Sequence, residues 1–447
     1  MCGKAGAALA SVAIAVLSPF VGCSDGDRAG AANDADGSAD AIAERPRVDA
    51  FVPEDSGPYF NSDGWVRVEF DQSCEFYAAP SPDKMPPPIE WEPCSPAGQS
   101  LGFVCRQIKF TWPSSDLGVQ MAQSPSGSGW VDSNGKAWLA ASRFFGKSIL
   151  KFVAETDGLV HQAITYREGS CSVLDANVRD GKAVWSALRR NVSGKEEQRG
   201  AIGGSVDAVP LPLESWSDGI ARSYYAGPSG YFAQGPESAV RTYMPGAAPI
   251  GTVVVTDPGQ MGAIQFIGDE LFFQVATLAY SRIKVYSAAA GSRDLVSFGN
   301  DVAANAADFG TDGVDMVWTE AFGRTTSSDP WTTINIVTSK FTSDSSKIVK
   351  RRLRSEGGSV GATPFKVGCG YAAHEVSGSG VGTRVVRLSD GQSWRLAEAR
   401  IDGGPTWAFL GPLAITCEEI FMKVNDGKEN RVARIRIDSL GAGDPAD

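Results

Sequence analysis

The sequence predicts an all-β fold, and specifically a β-propeller of seven four-stranded blades. Short β-rich runs broken by Gly, Asp and Pro fill residues 60–447, and no stretch keeps a helical period for long. A short phrase also recurs about every 47 residues. The 51 Gly and 25 Pro residues among 447 argue against a helical bundle.

The recurring phrase is a tight turn, often Asp-Gly or Asn-Gly, followed by a hydrophobic strand that carries an aromatic residue. The gaps between successive aromatics are 47, 47, 41, 45, 53 and 50 residues. Such a period, built from short strands, is typical of propeller blades, which bury both faces only by packing against each other around an axis. The seven aromatics are Trp138, Trp185, Phe232, Phe273, Trp318, Tyr371 and Phe421.

Two further strand-like segments, residues 65–70 and 103–112, precede the first phrase. They could complete the final blade or extend the first one. Six or eight blades remain alternatives to seven. A pair of β-sandwiches is a further alternative, because its strand spacing and turns are similar.

The N-terminal residues 1–22 have the pattern of a secretory signal, with one positive charge at Lys4 and an apolar run from Ala5 to Leu17. This run is too short to span a membrane as a helix. Residues 20–23 (Phe-Val-Gly-Cys) resemble a bacterial lipobox, with Phe20 in the position of the usual Leu. The resemblance implies cleavage before Cys23 and lipidation of its sulfur; the alternative is an ordinary signal peptide. Ser24 stands where an Asp would retain an enterobacterial lipoprotein in the inner membrane, so the resemblance favours the outer membrane.

The segment after the lipobox is Ala/Gly/Asp-rich and acidic. Residues 24–58 contain nine Asp or Glu against three Arg, a net charge of −6, and almost no large apolar residue before Phe51. Such a segment cannot bury enough apolar surface to offset its chain entropy. We therefore predict a lipidated cysteine and disordered tether over 23–58 and the propeller over 59–447. The net charge of −11 argues against nucleic acid as a partner.

Six cysteines remain once Cys2 is lost with the leader and Cys23 is assigned to lipid. An even number in an exported chain predicts three disulfides, and the absence of a C-x-x-C spacing argues against a zinc site. The pairing is open, although Cys94–Cys105 would close a short loop, Cys369–Cys417 would link neighbouring repeats, and Cys74 would remain with Cys171. The disulfide candidates are Cys74, Cys94, Cys105, Cys171, Cys369 and Cys417.

The sequence identifies no catalytic constellation, no cofactor and no metal site. It contains no G-x-S-x-G motif, and residues 141–148 end like a phosphate-binding loop but have Ala141 where the first Gly is required, which favours a β-turn. His161 and His374 could each act as a base near the propeller axis; a core or exposed histidine is the simpler interpretation. The catalytic residues, if any, stay unknown at this stage.

Two features could mediate binding. Basic residues alternate with apolar ones over 347–354. This pattern favours a strand with one solvent-exposed face over a segment that contacts an anionic surface such as lipid headgroups. Tryptophans in predicted loops could stack on sugars or anchor a protein interface, or could fold back over blade edges. These residues are Trp130, Trp216, Trp331, Trp394 and Trp407.

In organisation, the lipobox, the acidic tether and the cysteine-bearing propeller together resemble the propeller-type lipoproteins of myxobacteria and related bacteria. This resemblance rests on no specific motif and implies no activity. The leading hypothesis is an envelope-tethered, non-catalytic binding or scaffold module for a protein or glycan. The alternatives are a carbohydrate hydrolase or lyase with an axial active site, and a structural envelope protein. An enzyme predicts titratable groups at one channel mouth, whereas a binding module predicts an exposed aromatic patch.

Overall fold

The computed structural model describes most of residues 64–445, all within one compact unit that runs from Val52 to Asp447. It describes thirty-two strands and two 3-10 turns, Ser345–Lys347 and Ile437–Ser439. Among the described residues there is no helix long and apolar enough to cross a membrane. The gaps in the description are 72–73, 81–84, 87, 96–97, 99–101, 110–128, 133, 146–147, 157, 168–170, 191–196, 218–222, 228–229, 236–238, 244–251, 258–259, 277–280, 299–303, 324–331, 357–364, 377–381, 398, 401–405 and 426–429.

The strands form seven antiparallel sheets, the blades of a seven-bladed β-propeller, as the sequence predicts. Four strands precede the first blade: β1 (Val66–Asp71), β2 (Cys74–Ala78), β3 (Glu90–Pro93) and β4 (Cys105–Lys109). Blades 1 to 3 contain β5 (Gly129–Val131), β6 (Ala137–Phe145), β7 (Ser148–Glu155), β8 (Val160–Arg167); β9 (Cys171–Arg179), β10 (Lys182–Arg190), β11 (Glu197–Ser205), β12 (Leu211–Ser217); and β13 (Ser223–Gly227), β14 (Gly230–Gly235), β15 (Ala239–Tyr243), β16 (Thr252–Thr256).

The remaining blades follow the same order. Blades 4 to 6 contain β17 (Gln260–Ile267), β18 (Glu270–Ala276), β19 (Ser281–Ser287), β20 (Gly291–Phe298); β21 (Ala304–Thr311), β22 (Asp315–Phe322), β23 (Thr333–Lys340), β24 (Arg351–Glu356); and β25 (Lys366–Gly368), β26 (Tyr371–Val376), β27 (Gly382–Arg387), β28 (Ser393–Ala397). The last sheet contains β29 (Ala399–Arg400), β30 (Thr406–Ile415), β31 (Glu419–Asn425) and β32 (Asn430–Arg436).

The N-terminal strands close the ring. Strand β4 pairs with β32, with Gln107 opposite Ala433, so it supplies the fourth strand of blade 7 after β30, β31 and β32. Strand β2 pairs with β8 and extends blade 1, with β1 outside it. The two alternatives for the N-terminal segments are thus both confirmed, because residues 103–109 complete the final blade and residues 65–70 extend the first.

The first strands of the blades surround the axis. Neighbouring first strands contact each other at six of the seven blade junctions in the described chain, from β5 with β9 round to β30 with β5. Because each blade is an antiparallel meander, its first-to-second and third-to-fourth turns lie at one end of the ring. We call this end the turn face; its described turns include 132–136, 156–159, 180–181, 206–210, 268–269, 288–290, 312–314, 341–350, 369–370, 388–392 and 416–418.

The recurring sequence phrase marks the second strand of every blade. The turn residues of the phrase adopt left-handed backbone angles where the hairpin requires them. Before β10, φ is +48° at Asp180 and +68° at Gly181. The aromatics that follow, such as Trp185 and Trp318, are fully buried between blades. Each blade therefore buries its faces against its neighbours, as the period of the phrase predicts.

Small residues let the first strands of blades 5, 6 and 7 approach closely. A Cβ added at Gly310 would lie 2.5 Å from the carbonyl oxygen of Phe365, and one added at Gly368 would lie 2.3 Å from that of Ile415. Both obstacles are backbone atoms, which cannot rotate away. These glycines therefore set the spacing of the inner strands on that side of the channel.

All three disulfides form in the described chain. Cys94–Cys105 joins β3 to β4, and Cys369–Cys417 links the turns of blades 6 and 7 on the turn face. Cys74–Cys171 ties β2 to the start of β9 in blade 2. The cysteine pairing that the sequence spacing favoured is therefore the pairing found.

Candidate functional site

His161 lies on the turn face between blades 1 and 2, in an outer strand and away from the axis. Its Nδ1 is 2.6 Å from Oδ1 of Asp207, and its Nε2 is 3.0 Å from Oε1 of Glu155, which also binds Nζ of Lys136. The ring packs 4.8 Å from that of Trp138. Because both ring nitrogens already face carboxylates, His161 is placed to bridge two blades rather than to take a proton from a ligand.

Beside His161, a buried polar network joins blades 1 and 2. The side-chain amide of Gln162 donates to the carbonyl oxygens of Ser205, at 3.0 Å, and Ala208, at 2.9 Å. Its oxygen accepts the indole N–H of Trp185 at 2.6 Å. Gln162 and Trp185 are each 1% exposed, so every polar atom here depends on a protein partner.

Replacing Gln162 with Ala is expected to lower the free energy of unfolding by about 2–4 kcal/mol, because a buried indole N–H loses its acceptor and a cavity forms. The measurement is the urea midpoint of the purified protein. Gln392→Ala, which removes a part-buried amide near the chain end, serves as control and should cost at most about 1 kcal/mol. Equal losses in the two variants would contradict this role of Gln162.

His374 lies in the core between blades 5 and 6. It is 1% exposed, its ring packs 4.8 Å from that of Phe365, and neither of its nitrogens has a hydrogen-bond partner among the described residues. Burial and the positive charge of Arg384 lower the pKa of His374 to about 3. The side chain is therefore neutral at ordinary pH and has no path to a ligand.

The tryptophans expected in loops are mostly strand residues, so that prediction was wrong. The reason is that their Gly, Ser and Thr neighbours sit at strand ends rather than in long loops. Trp130 is half-buried in β5, and Trp394 is buried in β28 with its indole N–H on the carbonyl oxygen of Gly441. Trp216 and Trp407 belong to β12 and β30, and Trp331 falls outside the described residues. In the described ranges, the exposed large hydrophobic residues include no aromatic.

Titratable side chains from three blades interact near the axis. Lys366 begins the first strand of blade 6, and Arg179 ends the first strand of blade 2. Blades 2 and 6 are not neighbours, so an interaction between these side chains acts across the channel. Burial, followed by the positive charges of Lys423 and Arg179, lowers the pKa of Lys366 to about 8. Lys366 is half-buried.

Arg179 is the second cation of this axial cluster, which we define as Arg179, Lys366, Glu375 and Lys423. Its Nε is buried without a hydrogen bond and lies 3.5 Å from Oδ2 of Asp180, the next residue. Burial lowers the pKa of Arg179, and the charge of Asp180 offsets part of that effect. The guanidinium therefore keeps donors that a ligand could satisfy.

One carboxylate belongs to the axial cluster. Oε2 of Glu375, in β26, would lie 3.6 Å from a Cβ added at Gly411 in β30, so Glu375 reaches across to blade 7. Lys423, in β31, is paired with Gly411 in the sheet, so it lies in the same region as Glu375. Burial raises the pKa of Glu375, and the charge of Lys423 lowers it. With Asp180 beside Arg179, the axial cluster brings three cations against two carboxylates, an excess of positive charge that attracts an anion.

The sequence did not identify the axial cluster. Its one signal was position: Arg179 immediately precedes the Asp-Gly turn of blade 2, and Lys366 lies three residues before Cys369 in the corresponding turn of blade 6. Cys23 and the tether lie outside the described residues. In the described part of the chain, no group of three His, Cys, Asp or Glu side chains is placed to hold a metal ion.

Strand order and ring closure define the class of this chain as a seven-bladed β-propeller. No protein-family model and no curated protein matches it. Similar solved structures include a prolyl endopeptidase (14% identity, 62% of this chain, TM-score 0.39) and the WD40 domain of SCAP from fission yeast (10% identity, 78% of this chain and 98% of that one, TM-score 0.36). A third is the GH93 α-L-arabinofuranosidase of Fusarium graminearum (10% identity, 73% of this chain and 96% of that one, TM-score 0.32). The chain spans 41% of the prolyl endopeptidase's length, and these similarities are too distant to assign a function.

Proposed function

We propose that this chain is an envelope-tethered lipoprotein whose propeller binds an acidic ligand, protein or glycan, at the axial cluster without converting it. The observation that carries the proposal is the excess of cations in the axial cluster: the cations Arg179, Lys366 and Lys423 stand against two carboxylates, Glu375 and the Asp180 beside Arg179.

The proposed anchor is the lipidated Cys23, followed by an acidic tether of about 35 residues that would span roughly 30–35 Å. Two or three acyl chains on one cysteine would hold the protein at the membrane, because each buried CH₂ contributes about 0.8 kcal/mol. Mass spectrometry of the N-terminal peptide tests this step. An acylated peptide starting at Cys23, absent from the Cys23→Ala form, is the expected result.

Ligand binding is tested with oligogalacturonate as the acidic probe and a neutral galactan oligomer of equal length as its control. We expect calorimetry to show binding of the acidic probe alone, weakened about tenfold or more in Lys366→Met, because a charge-assisted hydrogen bond is lost. Lys109→Met, at an exposed position of β4, should leave the affinity unchanged. Equal binding of both probes, or an unaltered affinity in Lys366→Met, would refute the axial site.

A lyase is the second candidate function, and one observation favours it. Lys366 has a lowered pKa near 8 and Glu375 a raised one, and groups with such shifts in a cleft can act as base and acid. A lyase acting on uronate polymers would generate an unsaturated, ultraviolet-absorbing product. Product formation that disappears in Glu375→Gln would replace the binding proposal with catalysis.

A further inference from the structure

The turn face of blade 5 carries a cluster of exposed cations. Strands β23 and β24 are joined by the ten-residue connection 341–350, whereas the corresponding turn of blade 4 has three residues, 288–290. The side chains of Lys340 and Lys347 are 80% and 73% exposed. We define the basic edge as Lys340, Lys347, Lys350, Arg351 and Arg352, all exposed.

A β-bulge in the outer strand turns two successive arginines toward solvent. Val337 pairs with Arg352 and the adjacent Ile336 pairs with Arg354, so Leu353 is the extra residue and is buried at 3% exposure. Exposed and buried residues of β24 therefore do not alternate strictly. The strand with one solvent-exposed face that the sequence predicts is found only in part. Arg352 has no ion pair among the described residues.

Two of the carboxylates near the basic edge lie behind the cations. Lys340 reaches Asp315 at 2.7 Å and Lys350 reaches Glu320 at 3.0 Å, and these acidic side chains are only 11% and 12% exposed. In these two pairs the positive end faces solvent while the negative end is enclosed, whereas Asp344, 47% exposed, lies 3.4 Å from Lys347 at the surface. Because each enclosed carboxylate needs its cation, Lys340 and Lys350 keep these partners, and Arg352 contributes exposed charge that no carboxylate of the described residues pairs.

Apolar side chains stand beside these cations. Val349 and Val314, at 76% and 62% exposure, are the two most exposed large hydrophobic residues of the described chain. Val314 lies in the first turn of blade 5, where its carbonyl oxygen accepts the backbone N–H of Phe341 at 2.9 Å. Both valines thus belong to the same corner of the turn face as the basic edge.

We propose that this corner of blade 5 docks on an anionic phospholipid surface. The cations would lie against lipid phosphates while Val314 and Val349 enter the headgroup boundary, the combination by which peripheral proteins bind membranes. The chain as a whole is acidic, so the basic edge would orient the domain on a negative surface. A soluble polyanion would need the cations but not the valines. The proposed Cys23 anchor would hold this corner within reach of lipid, but docking itself requires no acyl chain.

The test uses the chain from residue 23 onward with Cys23→Ser, which carries no lipid and contains the whole unit Val52–Asp447. It is sedimented with vesicles of phosphatidylcholine alone and of phosphatidylcholine mixed with phosphatidylglycerol. We expect binding to the mixed vesicles only, and a fall of the partition coefficient as salt rises. The double variant Lys347→Glu/Arg352→Glu should bind at least about tenfold more weakly, since each basic residue near such a surface contributes about fivefold.

The matched control is Arg67→Glu/Lys109→Glu, an exposed arginine and an exposed ion-paired lysine on the outer strands of the first and last sheets. It should bind like the unaltered chain, and Val314→Ser/Val349→Ser should bind more weakly even at raised salt. Absence of binding to the mixed vesicles, or equal weakening by the control pair, would overturn the proposal. So would binding to dextran sulfate that depends on the cations while the valine variant binds vesicles normally. Acylation of Cys23 is measured separately, so its failure would leave this result interpretable.

Discussion

Removing the Cys74–Cys171 disulfide is expected to lower the free energy of unfolding by about 4–5 kcal/mol. The bridge spans 97 residues of sequence, and closing a loop of that length removes this much entropy from the unfolded chain. It also ties the hairpin β1–β2 to blade 2. Without it, β2 is held in the sheet by only three residue pairs with β8. Loss of the bridge should therefore expose blade 1 to solvent and also destabilise the whole domain.

The measurement is the urea midpoint of Cys74→Ala/Cys171→Ala under oxidising conditions. The pair Cys94→Ala/Cys105→Ala is the matched control, because its bridge spans only 11 residues and should contribute about 3 kcal/mol. With reductant present, the unaltered chain should be less stable than either double variant under oxidising conditions, since it has lost all three bridges. A long-range variant no less stable than the short-range one would contradict the loop-entropy account.

The stability of the protein is expected to fall as pH drops from 6.5 toward 3, with His374 contributing about 4–5 kcal/mol of the loss. Its pKa is lowered from 6.5 to about 3 in the folded state, so over this window the unfolded chain binds a proton that the folded chain does not. Stability therefore rises with pH through the window and is fully present above 6.5. Each pKa unit corresponds to about 1.4 kcal/mol.

His374→Leu isolates this contribution. The variant should show a shallower decline of unfolding free energy between pH 6.5 and 4, because no buried imidazole remains to be protonated on unfolding. It should lose little stability at pH 8, since both nitrogens lack partners in the fold. Phe365→Leu, which alters the same pocket without a titrating group, should shift stability equally at every pH. An unchanged pH slope in His374→Leu would show that His374 is not the group responsible.

Local sequence chemistry predicted the blades well. A hairpin turn and the strand after it are decided within a few residues, so Asp180-Gly181 and Trp185 identify a second strand without knowledge of the rest of the chain. The same holds for residues 65–70, predicted as strand-like and found mostly within β1 (Val66–Asp71). The residues next to the tryptophans led to the wrong prediction of loops, because a Gly or Ser beside a tryptophan such as Trp394 is as compatible with a strand end as with a loop. The segment with the signal and lipobox pattern stays a prediction.

By itself, the sequence determined the all-β class and favoured a propeller, seven blades and the observed cysteine pairing, because each depends on a repeated local pattern or on spacing. Only the tertiary structure decided which blade each N-terminal strand joins, since strand pairing over more than 300 residues leaves no local signal. It also decided that His374 is enclosed, that Arg179 and Lys366 interact although their blades are not neighbours, and that Val314 lies beside the basic edge. Each of these features depends on ring closure, which brings distant residues together and sets the solvent exposure of each side chain.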